Sequence, residues 1–142
     1  MTNHVSIFRD AAVVVSVVMA DQVSKSMLAV SPILNTGVSF SWLSDSGSTL
    51  LMIQTLLLIA LAFEWVRLQK AGGGGAKTLA YSLLFAGGFS NALDRLLLGG
   101  VRDWLAVPFS TISNNLADYA IALGVLVWLG TIELTKSRAP CA

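Results

Sequence analysis

Three aspartates, two arginines and three asparagines fall between Gly87 and Asp118, set against the ends of two strongly apolar segments. Ionisable groups at membrane depth are costly, so they mark functional positions by default. Asp103 and Asp118 offer the most distinctive chemistry. They lie 15 positions apart, ample for a loop to bring Asp103 back beside Asp118. Two carboxylates in a poorly solvated site cannot both ionise comfortably, so they tend to share one proton. The ionised member can take a proton from water, and the protonated member can donate to a carbonyl oxygen and then to the leaving group. Such a pair titrates as a unit, and hydrolysis by it needs neither a nucleophilic side chain nor a metal.

The neighbouring polar residues are spaced to support that pair. Asn91, Asp94 and Arg95 share one helical face with Gly87, and Asn115 shares a face with Asp118. Asp94-Arg95 reads as an ion pair that supports the bundle rather than as a catalytic unit. Asp21 and Lys25 stand at i and i+4, where they are equally a helix-surface pair with Lys25 snorkelling or part of the site. A Ser-Lys nucleophile built from Ser24 or Ser26 with Lys25 has nothing else to support it. Asn35-Thr36-Gly37 is a turn signal.

The elements that must hold these residues are membranous. Of 142 residues, 55% are hydrophobic and 12% charged, whereas a soluble domain carries about 25% charged residues; the mean hydropathy is +0.74. A formal net charge of +1 predicts no polyanionic partner, and nucleic acid is excluded on that ground. Cys141 is the only cysteine and His4 the only histidine, so a zinc site, an internal disulfide and a thiolate cluster are not expected. No cofactor is called for. The length suits one domain, residues 1–142.

The chain opens with a polar stretch, residues 1–10, followed by the apolar run Ala11 to Ala20. A charged start before a short apolar run imitates a secretory signal peptide, but Asp21 breaks the run and no clean cleavage site follows. Four spans are expected, at about 11–30, 49–67, 78–98 and 116–134, each near the roughly twenty residues a bilayer requires. Ser48 or Thr49 can cap the second helix. Gly72 to Gly75 make a flexible hairpin loop. Two excursions, about 33–43 and 101–107, carry strand signals: Val38-Ser39-Phe40-Ser41-Trp42 alternates apolar with polar, and Val101-Arg102-Asp103-Trp104-Leu105 can form a strand. Arg9, Arg67, Lys70, Lys77, Lys136 and Arg138 fall on the side of the termini, and Lys25, Arg95 and Arg102 on the other. Six against three predicts cytoplasmic termini and a site near the outer leaflet.

In this order the motifs resemble the lipoprotein signal peptidase (signal peptidase II) family over nearly the whole chain. Asp21-Gln22-Val23-Ser24-Lys25 resembles its Asp-x-x-Ser/Thr-Lys, and Asn35-Thr36-Gly37-Val38-Ser39-Phe40 its Asn-x-Gly-x-Ala/Ser-Phe. Asn91-Ala92-Leu93-Asp94-Arg95 resembles Asn-x-x-Asp-Arg. Val101-Arg102-Asp103-Trp104 and Asn115-Leu116-Ala117-Asp118 resemble the two motifs that hold the family's catalytic aspartates. The resemblance implies an all-α membrane protein of four transmembrane helices, with a small extracytoplasmic β-cradle and a short surface helix. It implies an aspartic endopeptidase of the bacterial cytoplasmic (inner) membrane, acting as a monomer among membrane lipids. The enzyme would cut the signal peptide of a prolipoprotein just before the diacylglyceryl-modified cysteine. Asp103 and Asp118 would be catalytic; Asn35, Gly37, Asn91, Arg95 and Asn115 would line the pocket, with Asp21 and Asp94 supporting it. Ser90 stands where the family has glycine, Asn114 where it has phenylalanine and Trp104 where it has phenylalanine, and the loop between the aspartates is short. The alternatives are a specialised or inactive paralogue and a small proton-coupled transporter that uses the aspartates as a relay.

Overall fold

The computed structural model describes residues 2–28, 33–36, 47–72, 75–110 and 112–137. Gly37, the alternating stretch Val38–Trp42, Asp45 and Cys141 lie outside them. In chain order the elements are α1 (Thr2–Met27), β1 (Ile33–Asn35), α2 (Gly47–Lys70), α3 (Ala76–Leu98), β2 (Val101–Asp103), β3 (Leu105–Ala106), β4 (Ser113–Asn114) and α4 (Leu116–Ser137).

The helices alternate in direction. Arg9 of α1 meets Thr78 of α3 while Gln22 meets Ser90 and Asp94, so these two helices run parallel. α2 and α4 run the other way. Among the described residues, two helices are long and apolar enough to cross a bilayer by length and composition, Ser48–Lys70 and Leu116–Glu133. Their outer surfaces carry exposed apolar side chains such as Leu56, Phe63, Leu123 and Leu126, the pattern of a surface solvated by lipid rather than water. α2 starts at Gly47, so Ser48 and Thr49 lie within the helix instead of before it.

α3 packs most intimately on α4, because small residues let the backbones approach. Ala80, Ala86 and Ala117 are completely buried. A Cβ on Gly87 would collide with the carbonyl oxygen of Ala117, a backbone atom that cannot step aside. α3 ends where Gly99 takes the left-handed conformation (φ 76°) and its N–H closes on Arg95 O at 3.0 Å, a geometry open to glycine at little cost.

Beyond that end the chain forms two short antiparallel ladders. β1 pairs with β2, setting Ile33 opposite Asp103 and Asn35 opposite Val101. β3 pairs with β4, setting Leu105 opposite Asn114. The sequence predicted a strand from residue 101 but not its partner; the return strand Ser113–Asn114 carried no alternating pattern, being only two residues long.

The polar opening stretch, expected to precede the first span, is helical from Thr2 and continuous with it. Within it Asp10 is completely buried. Its carboxylate accepts from Arg9 Nε at 2.7 Å and Gln69 Nε2 at 2.7 Å, while Arg9 Nη2 reaches Thr78 Oγ1 at 3.0 Å. This cluster ties the starts of α1 and α3 to the end of α2, and a buried carboxylate needs such donors to be tolerated.

Candidate active site

Asn115 is the hinge of the site. It directly precedes α4, where the first backbone N–H groups lack helical partners. Its Oδ1 accepts from Asp118 N at 3.1 Å, and Asp118 Oδ2 accepts from Asn115 N at 3.3 Å. The exchange is a capping box, with Asn and Asp where Ser/Thr and Glu are usual. Because the amide oxygen is committed to the cap, Nδ2 points away from it and donates to Asp103 Oδ1 at 2.7 Å. One side chain thus holds both aspartates, one through its oxygen and the other through its nitrogen.

The remaining carboxylate oxygens also receive amide donors. Asn35 Nδ2 donates to Asp103 Oδ2 at 3.0 Å, and Asn91 Nδ2 donates to Asp118 Oδ1 at 2.8 Å. The Asn91 amide is oriented from behind, since its Oδ1 accepts from Lys25 Nζ at 2.9 Å. Burial pushes the Asp103 carboxyl above its ordinary value, and the amides of Asn35 and Asn115, with the charges of Lys25 and Arg95, oppose that push.

Behind the pair lies a charge-balanced network. Lys25 is buried, and besides Asn91 its ammonium faces Asp21 Oδ2 at 2.7 Å and Asp94 Oδ2 at 3.4 Å. Three acceptors for three N–H donors satisfy it. Asp21, completely buried, also accepts from Ser90 Oγ at 2.7 Å and from Ala117 N at 2.9 Å. The last contact places a carboxylate on an orphan N–H at the positive end of α4. Asp94 takes a two-pronged contact from Arg102, through Nε at 3.2 Å and Nη2 at 2.8 Å, and a further bond from Arg102 N at 3.0 Å. Gln22 closes the circuit, accepting from Arg102 Nη2 at 2.8 Å and donating to Asp94 Oδ1 at 3.0 Å. Two buried anions, Asp21 and Asp94, therefore face two cations, Lys25 and Arg102.

The predicted site residues Asp21, Lys25, Asn35, Asn91, Asp94, Asp103, Asn115 and Asp118 fall into this one connected set. Gly87 stands apart from it at the α3–α4 crossing. The charged partners of Asp94 are Arg102 and Lys25, not the adjacent Arg95, whose Nη1 donates to Gln54 Oε1 at 3.0 Å. Sequential helix residues point about 100° apart, so neighbours in sequence do not face each other. Gln22, Gln54 and the pairing role of Arg102 were not anticipated. Ser90 had been noted only as a departure, yet it is completely buried between Asp21 and Gln22.

A helical body with exposed apolar surfaces and buried polar clusters near its two ends has the make-up of a membrane protein. Two solved structures share its architecture, each described as a bacterial membrane enzyme determined by the in meso method. One, at 2.3 Å, has a TM-score of 0.78 and 25% identity, covering 96% of this chain and 94% of that one. The other, at 1.9 Å, has a TM-score of 0.74 and 26% identity, covering 89% and 93%. Residues 7–133 match the family model of signal peptidase (SPase) II. A lipoprotein signal peptidase of Xanthomonas axonopodis pv. citri is 38% identical over 116 residues, covering 75% of this chain and 66% of the relative. Its counterpart in Rhodopseudomonas palustris is 30% identical over 119 residues, covering 75% and 70%. The chain belongs to the signal peptidase II family, a family of membrane proteases.

Proposed function

We propose that this chain is an intramembrane aspartyl endopeptidase that removes the signal peptide of a prolipoprotein just before its diacylglyceryl-modified cysteine. The carrying observation is the Asn115 bridge, which ties Asp103 and Asp118 into one hydrogen-bonded unit. In this reading the pair holds one proton. The ionised carboxylate takes a proton from water as the water oxygen attacks the scissile carbonyl carbon, and the protonated one donates to the carbonyl oxygen. Collapse of the tetrahedral intermediate breaks the C–N bond, and the leaving amine takes up a proton from the pair. The asparagine donors orient both carboxylates while the proton moves, and Asp21, Lys25, Asp94 and Arg102 hold the asparagines.

The same reading takes α1 to α4 as four spans of a single domain, the two ladders together with Gly37 and its neighbours as a cradle for the extended peptide, and a short surface helix nearby. It puts the termini in the cytoplasm and the site near the outer leaflet of the inner membrane, in a monomer surrounded by lipid. The excess of cations at the terminal end supports that orientation. A proton relay through the membrane is disfavoured, because the two polar clusters on α1 are separated by Ala11–Ala20, which offers a single hydroxyl, Ser16.

Purified protein incubated with a diacylglyceryl prolipoprotein should convert it to a faster-migrating product, with or without a chelator. Failure to convert it in lipid would end this reading, and chelator inhibition rescued by added metal would replace it with metal-dependent hydrolysis.

A further inference from the structure

The ten residues from Leu105 to Asn114, which lead from Asp103 to Asn115, carry no charged side chain. Short edge strands that stand in water are usually blunted by charge, lysine above all. Strands β3 and β4 instead end in a turn tipped by Phe109, whose side chain is fully exposed. Val107 O accepts from Ser110 N at 3.2 Å, and Val107 N donates to Ile112 O at 2.9 Å. Pro108 and Phe109 are therefore the second and third residues of the turn, and Phe109 has a φ of 63°. A positive φ at the third position, after proline, marks a type II turn, where glycine or asparagine is favoured. Ser110 Oγ completes the turn, donating to Val107 O at 3.2 Å and accepting from Ile112 N at 3.1 Å. None of these bonds needs an aromatic ring. The fold alone calls for glycine at this position and holds a phenylalanine that buries nothing on the protein. A strained backbone under an exposed apolar side chain points to a task outside the fold.

The bilayer boundary lies close to that tip. The span in α4 starts at Leu116, seven positions beyond Phe109. Ala106 pairs with Ser113, and Phe109 is three residues past Ala106, about 10 Å at full stretch. The headgroup layer is itself roughly 5–8 Å deep in each leaflet. Exposed apolar side chains continue to this end of the bundle, with Leu96, Leu97 and Leu98 on the last turn of α3 and Tyr119 on the first turn of α4. Aromatic side chains at this level settle among headgroups. We propose that Phe109 is an interfacial anchor: the hairpin tip enters the lipid surface beside the site and fixes the height of Asp103, Asn115 and Asp118 against the bilayer. Lipid suits this tip because an uncharged turn gives up little solvation there while the ring gains burial. The effect on the site rests on the peptidase reading; the anchoring does not.

The test places a nitroxide at Phe109→Cys in a Cys141→Ser background, Cys141 being the only cysteine. Labels at Leu56→Cys, on the exposed apolar face of α2, and at Ala71→Cys, in the exposed turn after it, serve as references. In liposomes of phosphatidylethanolamine and phosphatidylglycerol, relaxation by oxygen relative to a water-soluble nickel chelate should be closer at 109 to the Leu56 value than to the Ala71 value. A ratio like that of Ala71 would put the tip in water, a label shielded from both reagents would put it under protein, and either overturns the proposal. Phe109→Gly should melt at about the wild-type temperature, because glycine adopts this φ freely. Its KM in liposomes should rise about threefold to tenfold, a fraction of what burying a phenylalanine supplies, with kcat changed less than about twofold. Phe109→Trp should keep the wild-type KM. A wild-type KM in Phe109→Gly, or an equal rise in both variants, would overturn the positioning role. If the wild type fails to cut the precursor, the peptidase reading falls while the label at 109 still decides the anchoring.

Discussion

Asn115 performs two tasks that substitutions can separate. As the cap of α4 it contributes about 1 kcal/mol, the usual value of such a residue; as the donor to Asp103 it fixes the geometry of the pair. Asn115→Ala should lower the melting temperature and reduce cleavage by at least about a hundredfold, the cost of misplacing a catalytic group. Asn115→Ser restores a cap but is too short to reach Asp103, so thermal stability should recover and cleavage should not. Recovery of both would show that the bridge is only a cap. Asn35 supports a pH prediction. Its amide favours the ionised form of Asp103, whose carboxyl burial already holds above its ordinary value. Asn35→Ala removes that donor, so the proton is held to still higher pH and the alkaline limb of the pH–rate profile should move up. The same sign applies to folding: the native state binds this proton more tightly than the unfolded chain, so the contribution is present at low pH and lost as pH rises through the raised value. A limb that moved down would contradict the assignment of Asp103 as one of the pair.

Among the elements, α1 and α3 carry the electrostatics and α4 receives them. Lys25→Met should destabilise by roughly 3–5 kcal/mol, since removing one partner leaves the buried carboxylates of Asp21 and Asp94 without their ammonium. Asp94→Asn should mainly lower thermal stability in detergent, and unchanged melting with lost cleavage would move Asp94 from support to chemistry. Gly87→Ala should cost about 1–3 kcal/mol in stability, because its Cβ meets the Ala117 carbonyl and the helices must part. These elements also show what a sequence can disclose. The spacing of Asn91, Asp94, Asn115 and Asp118 was legible because partners on one helix face recur at three and four residues. Gln22, Gln54 and Arg102 were not, because Gln54 and Arg95 are 41 positions apart and Gln22 and Arg102 are 80 apart. A single glutamine in an apolar run gives no local hint of its partner. Asp94-Arg95 misled for the opposite reason, since adjacency in sequence looks like pairing and on a helix is not.

At the scale of the molecule, polar residues collect at two levels of an otherwise apolar body, joined by helices that face lipid. The upper cluster holds the candidate site. The lower one, around Asp10, clasps the hairpin side of the bundle and was hidden by its position in the polar stretch ahead of the first apolar run. Asp10→Asn should leave the cleavage rate of folded protein unchanged and lower its melting temperature, which a thermal-shift assay in detergent would record. The central claim is that Asp103 and Asp118 act together on the scissile bond. Its most direct test is the cleavage rate of a diacylglyceryl prolipoprotein by Asp103→Asn and Asp118→Asn, each reconstituted in liposomes at wild-type levels. Both should fall to the uncatalysed background while the proteins insert and melt as folded species; turnover by either near the wild-type rate would contradict the account.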